Sequence, residues 1–154
     1  MTHKTLIIIP AYNEESTILD VIGDIRAYMP GARIVVVDDG SKDSTFILAE
    51  KEADFSLQLP YHLGLGAALQ TGYLFACDNG YDIAVHFDSD GQHMAEYIGK
   101  IIDPVRKSEC DMALGSRFID KCASLYRVPL LRRMASSLIS YSLYPLVHKR
   151  IKDP

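Results

Sequence analysis

Asp88 and Asp90 stand one residue apart in HFDSDGQH, residues 86–93, at the end of the apolar run IAVHF. Residues two apart on an extended backbone point the same way, so these carboxylates can converge on one point. Paired carboxylates either share a proton or bind a cation. Oxygen-only ligands at a strand end suit Mg²⁺ or Mn²⁺, ions that commonly bridge to substrate phosphates. Gln92 adds a further oxygen on the same side if the backbone stays extended, and His93 either ligates or packs. A solvated Asp-rich turn is the bland alternative, because D-x-D alone is a weak signal.

Other residues could share the same chemistry. Asp38 and Asp39 end the run RIVVVDD, where an acid can accept from a ribose hydroxyl or a base N–H. Gly40 and Ser41 behind them equally make an ordinary strand-to-helix turn. Gly64 and Gly66 let a ligand or a neighbouring strand approach closely. The run G-L-G-A-A-L lacks the last small residue of the dinucleotide fingerprint and follows the third predicted strand, so a Rossmann reading is poor. The guanidinium of Arg117 suits phosphate oxygens bidentately, or forms a plain surface ion pair.

Positioning these groups requires a scaffold, and the hydrophobic pattern supplies one. TLIII (5–9), RIVVV (33–37), DFSLQL (54–59), IAVHF (83–87) and DMALG (111–115) read as strands. Between them, Ile18, Val21, Ile22, Ile25 and Met29 repeat at helical spacing. A second helix carries Phe46, Ile47, Ala49 and Ala53, with Ser41 or Asp43 as its cap. A third carries Leu65, Ala68, Leu69, Gly72, Tyr73 and Ala76, and a fourth runs from Tyr97 to Val105. Apolar strands alternating with helices describe an α/β fold with a mostly parallel sheet flanked by helices. Ligands of such sheets bind outside the carboxyl ends of the strands. Those ends are PAYNEE (10–15), DDGSKDS (38–44), YHLGLGAA (61–68), DSDGQH (88–93) and GSRF (115–118), all rich in polar residues or glycine.

Composition limits the alternatives. The chain has 154 residues, 48% hydrophobic and 23% charged, which fits a globular domain with a sizeable core. Three cysteines without C-x-x-C spacing and an N-terminus without a cleavage pattern point to reduced thiols and a cytoplasmic location. Residues 1–116 carry eight Lys and Arg against eighteen Asp and Glu, a net of −10. Residues 117–154 carry eight against two, a net of +6. The acidic part argues against nucleic acid as a partner. The basic end could face an anionic membrane or phosphate groups, or be a solvated face.

Five stretches carry a resemblance: IIIPAYNEE (7–15), VVVDDGSKDST (35–45), HLGLGAALQTGY (62–73), HFDSDGQH (86–93) and GSRF (115–118). In this order they resemble the inverting family-2 glycosyltransferases of the GT-A fold, above all the dolichol- or polyprenyl-phosphate sugar synthases. The resemblance implies transfer of a sugar from a GDP- or UDP-sugar to a lipid phosphate or saccharide acceptor. It implies that Pro10, Tyr12 and Glu14 lie against the donor's base and ribose, that Val37 and Asp39 meet the base, and that Ala68 lines the nucleotide pocket. It sets Asp88, Ser89, Asp90 and Gln92 at the diphosphate and metal, and Arg117 on donor phosphate. Residues 1–118 then form the nucleotide-sugar core, and 119–154 a basic helical segment that reads as an incomplete acceptor-side region near a membrane. Met94 and Ala95 stand where relatives often have proline. Two rivals remain: a non-catalytic nucleotide-sugar binding module, and a haloacid-dehalogenase-like phosphatase suggested by FDSDG (87–91), whose loop normally opens its fold.

Overall fold

The computed structural model describes residues 3–115. Arg117 and the basic segment 119–154 lie outside the described residues. By internal packing the chain divides into two compact units, Met1–Ala113 and Leu114–Pro154, and the fold below belongs to the first. Strands β1 (Thr5–Ala11), β2 (Arg33–Asp38), β3 (Phe55–Gln58) and β4 (Ile83–His86) form one sheet in the order β3-β2-β1-β4. Every pairing is parallel. Helices α1 (Ile18–Tyr28), α2 (Thr45–Glu52), α3 (Leu65–Asp78) and α4 (Ile98–Arg106) make the connections, with a 3₁₀ turn at Ala95–Tyr97 before α4.

All seven residues of β1 are buried, as expected of a strand covered on both faces. Their side chains alternate. Ile7, Ile9 and Ala11 join Ile34 and Val36 against Ile18, Val21, Ile22 and Ile25 of α1, Ala49 of α2, and Ile98 and Ile102 of α4. Leu6 and Ile8 join Val35 and Val37 against Ala68 and Ala76 of α3. Helix α3 turns its small residues to the sheet: at Gly72 an added Cβ would lie 2.3 Å from Cγ2 of Ile8.

Strand β1 runs two residues past the predicted 5–9, through Pro10. A proline has no N–H for a ladder, and central strands usually exclude it. Here the chain tolerates it because β4 has already ended. Ile8 pairs with His86 as the last β1–β4 couple, and the Ile8 carbonyl accepts from Phe87 N. The Ala11 carbonyl accepts from Asp39 N on the β2 side. By alternation Pro10 turns its edge toward the β4 side, where no neighbour needs a donor. The sheet therefore opens between β1 and β4 at their carboxyl ends. This is also where strand order reverses, from β1-β2-β3 on one side to β4 on the other.

Two expectations are corrected. Residues 111–115 form no strand: they pair with neither sheet edge, and Met112 and Leu114 are exposed. In α2 the buried residues are Thr45 and Ala49, while Ile47 is exposed and Ala53 caps the end. The helix is short: Thr45 and Ala49 are its buried residues, with Leu48 partly buried against the same core. Among the described residues no helix is long and apolar enough to cross a membrane.

Candidate active site

A cleft of about 260 Å³ opens at the carboxyl ends of the strands, lined by Pro10, Ala11, Tyr12 and Glu14, by Asp39, by His62, Leu65 and Ala68, and by Asp88, Ser89 and Asp90. It lies at the reversal of strand order, the place where open α/β sheets bind ligands. Period two explains why these side chains share a face. Pro10 and Tyr12 continue the parity of Leu6 and Ile8, and Asp39 that of Val35 and Val37, the set that faces α3.

The loops after β1 and β2 brace each other. Asn13 N donates to Ser41 Oγ (2.9 Å), and Lys42 N donates to Asn13 Oδ1 (2.9 Å). Glu14 N donates to Thr45 Oγ1 (2.8 Å), Glu15 N to Asp43 Oδ2 (3.2 Å), and Ser44 N to Glu15 Oε2 (3.0 Å). Asn13 adopts φ 56°, a left-handed conformation that asparagine tolerates well. Side chains of AYNEES thus serve the backbone of DGSKDS and the reverse.

The adjacent acids Asp38 and Asp39 part to opposite sides of the sheet. Asp38 accepts from Ser41 N (3.2 Å) and from Gln58 Nε2 (3.0 Å), and its buried Oδ1 has no partner among the described residues. Asp39 is 3% exposed. It accepts from Leu63 N (2.8 Å), Gly64 N (2.7 Å) and His62 Nδ1 (2.8 Å). A carboxylate offers about four lone-pair sites, so three are already used by the chain. The same contacts set negative charge at the start of α3, where the helix dipole favours it. Gly40, at φ +72°, lets this loop close in: a Cβ there would come within 2.7 Å of the Tyr61 carbonyl carbon.

Asp88 and Asp90 both reach the cleft, yet their settings differ. Asp88 Oδ1 accepts from His86 Nε2 (2.8 Å), and Oδ2 accepts from His93 Nε2 (3.0 Å). Those bonds, from His86 first and then His93, hold the Asp88 carboxyl far below the usual carboxylate range. An ionised Asp88 removes proton sharing between the two carboxylates. Asp90 Oδ1 accepts from Gln92 N (2.9 Å), while among the described residues its Oδ2 has no such bond.

The backbone does not stay extended beyond Asp90. Gly91 adopts φ +71°, and Gln92, which the sequence expectation carried to the metal, spends its N–H on Asp90 and lies outside the cleft lining. Val37 also lies outside it, fully buried beneath α3. Pro10, Tyr12, Glu14, Asp39, Ala68, Asp88, Ser89 and Asp90 are brought together.

Sequence reasoning passed over His62 and His86. His62 stacks on Tyr12, with ring centroids 3.9 Å apart and planes at 28°. His86 was detectable from the spacing argument that paired Asp88 with Asp90, since it precedes Asp88 by two. His93 packs, edge-on to Phe87 at 5.7 Å, and donates to Asp88 as well.

Among the described residues no group of three or more His, Cys, Asp or Glu side chains is arranged as a metal cage. Mg²⁺ and Mn²⁺ do not require one when they bind through one or two carboxylates and substrate phosphates. The open oxygen of Asp90 beside an ionised Asp88 fits that mode.

Comparison with known proteins follows the same line. The family description "Glycosyl transferase family 2" matches residues 6–152. Polyprenol monophosphomannose synthase of Mycolicibacterium smegmatis is 35% identical over 77% of this chain and 46% of its own length. Dolichol-phosphate mannosyltransferase of Pyrococcus furiosus is 32% identical over 98% of this chain and 44% of its own. The glucosyl-3-phosphoglycerate synthase of Mycobacterium tuberculosis, crystallised with Mn²⁺, UDP and glucosyl-3-phosphoglycerate, superposes with a TM-score of 0.56 at 27% identity. That match covers 67% of this chain and 39% of that one. The chain spans about half the length of the curated relatives it matches. The fold is thus the GT-A fold. FDSDG follows the fourth strand here instead of opening the fold, which sets the phosphatase reading aside. From residue 6 to residue 152, this chain belongs to glycosyltransferase family 2.

Proposed function

We propose that the chain transfers a sugar from a nucleoside-diphosphate sugar to a polyprenyl or dolichyl phosphate. The observation that carries this reading is the convergence of Tyr12, Glu14, Asp39, Asp88 and Asp90 on one cleft at the reversal of strand order. The names of the similar mannosyltransferases supply the acceptor class. Electrostatics supports a cation. Among the described residues the lining holds four carboxylates, from Glu14, Asp39, Asp88 and Asp90, and no Lys or Arg. A diphosphate brought there unaided would be repelled.

Asp90, with Asp88 beside it, would hold Mg²⁺ or Mn²⁺, which supplies positive charge against the leaving diphosphate. The chain's own residues do the rest. Tyr12 and Ala68 bound the space for the nucleoside. The braced loops after β1 and β2 keep that space in shape, so little reorganisation accompanies binding. His86 and His93 keep Asp88 ionised and fix its direction. Arg117 is assigned to donor phosphate by its motif. An acceptor phosphate is already anionic at neutral pH and needs no general base, unlike a hydroxyl.

A thermal-shift screen of GDP- and UDP-sugars with and without Mn²⁺ tests the donor and the metal together. We expect stabilisation by one nucleotide class that depends on Mn²⁺. Radiolabelled donor with polyprenyl phosphate then tests transfer. Binding without any product would instead favour the binding-module reading, which the half-length coverage keeps in view.

A further inference from the structure

We propose that His62 is a specificity-determining residue of this cleft, and that it selects a nucleobase carrying a ring N–H on its pairing edge, as uracil and guanine do. The inference rests on the nucleotide-sugar reading above and deepens it.

His62 is not a core histidine: its side chain is 52% exposed and lines the cleft. It is nonetheless held in place. Its ring lies 3.9 Å from that of Tyr12, and its Nδ1 donates to Asp39 Oδ2 at 2.8 Å. Asp39 also grips the next two backbone amides, Leu63 N and Gly64 N, so the imidazole stands on a fixed loop. At 3.9 Å the Tyr12 and His62 rings are in contact and leave no room for a base between them. A base entering the cleft must lie against the outside of this pair.

The tautomer follows from the Asp39 contact. With Nδ1 protonated to serve the carboxylate, neutral His62 carries its lone pair on Nε2. Among the described residues Nε2 has no hydrogen-bond partner. An unpaired acceptor at the base end of the cleft rewards a donor. Uracil N3–H and guanine N1–H are such donors, whereas the matching ring nitrogens of cytosine and adenine are acceptors. Asp39 is the less available group, because three of its lone-pair sites already hold the 62–64 loop. The base contact that the resemblance implies for Asp39 thus passes through the residue it positions.

Calorimetric binding of UDP, CDP, GDP and ADP to the 154-residue chain, with Mn²⁺, tests this. The wild-type chain should prefer UDP over CDP, or GDP over ADP, by about tenfold, the worth of one hydrogen bond gained against one acceptor left facing another. His62→Phe keeps a ring against Tyr12 but removes the acceptor, and should bring that ratio close to one. His62→Gln restores an acceptor and should recover it in part. Affinity for pyrophosphate with Mn²⁺ should be the same in all three. An unchanged base ratio in His62→Phe, or pyrophosphate affinity falling in step with nucleotide affinity, would overturn the role of His62 while leaving the nucleotide site standing. A wild-type chain that binds none of the four would overturn both.

Discussion

At the scale of single residues, the cleft's carboxylates have unequal duties. Asp88 gives one oxygen to each of two histidines, Asp39 gives itself to a loop, and Asp90 keeps an oxygen open. Asp90→Asn should therefore abolish metal-dependent nucleotide binding with little change in the unfolding midpoint. Titration with Mn²⁺ and nucleoside diphosphate checks this, and unchanged metal dependence would show that the site is wrongly assigned. His86→Ala should act differently, leaving Asp88 with one partner and weakening nucleotide binding only partly. D-x-D spacing revealed the pair, but not this division of labour. The sequence carries no mark of which carboxylate oxygens a neighbouring loop will occupy.

Elements make different predictions. The α3–sheet contact depends on the missing Cβ of Gly72, which would meet Ile8 Cγ2 at 2.3 Å. Gly72→Ala should destabilise the fold by about 1–3 kcal/mol through overpacking. Adding Ile8→Ala removes the obstructing methyl, so the double variant should lose less stability than the two single losses added together. Urea denaturation of the four chains measures that coupling, and strict additivity would count against the packing argument.

Asp54 secures the opposite ends of the strands. It accepts from Ile34 N (2.9 Å) and pairs with Arg33 and Arg26. Burial pushes its carboxyl up, but the Arg33 hydrogen bond, the Ile34 N–H and the two guanidinium charges outweigh that, and the net direction is down. Such a group stabilises the fold above its unfolded value of about 3.9, and the contribution disappears as pH falls through the folded value. Asp54→Ala should lower the unfolding free energy at neutral pH by about 1–3 kcal/mol. The gap from wild type should narrow as pH drops below about 4. An equal gap at both pH values would refute the linkage.

For the whole molecule, charge separates along the chain. The first 116 residues carry a net of −10 and the last 38 a net of +6. The lipid-phosphate acceptor proposed above and this basic stretch would meet at the same anionic membrane surface. Sedimentation with vesicles at low salt should show more chain bound to anionic than to neutral lipid, with the difference fading as salt is raised. Equal binding to both would count against a membrane-facing role for the basic stretch.

Much of the architecture was legible before folding. The runs TLIII, RIVVV and IAVHF are continuously apolar because both faces of a parallel sheet are covered, and the loops that follow them are polar because they leave it. Those are local properties, so strand order along the chain and the family motifs could be read directly. The strand expected at 111–115 failed because an apolar run becomes a strand only when a neighbour offers its edge. Lateral order, β3-β2-β1-β4, was set by tertiary structure, and with it the gap past Pro10 where the cleft opens. Tertiary structure also decided that His62 meets Tyr12, fifty positions away, that Asp39 serves the 62–64 loop, and that Gln92 turns aside after Gly91. Which loops become neighbours depends on the register of whole strands, and no single loop's sequence contains that register. The sequence alone determined that carboxylates would gather at one sheet edge. Folding decided which of them stay free for a ligand, because each hydrogen bond accepted from a neighbouring loop occupies a lone pair that a ligand would otherwise use.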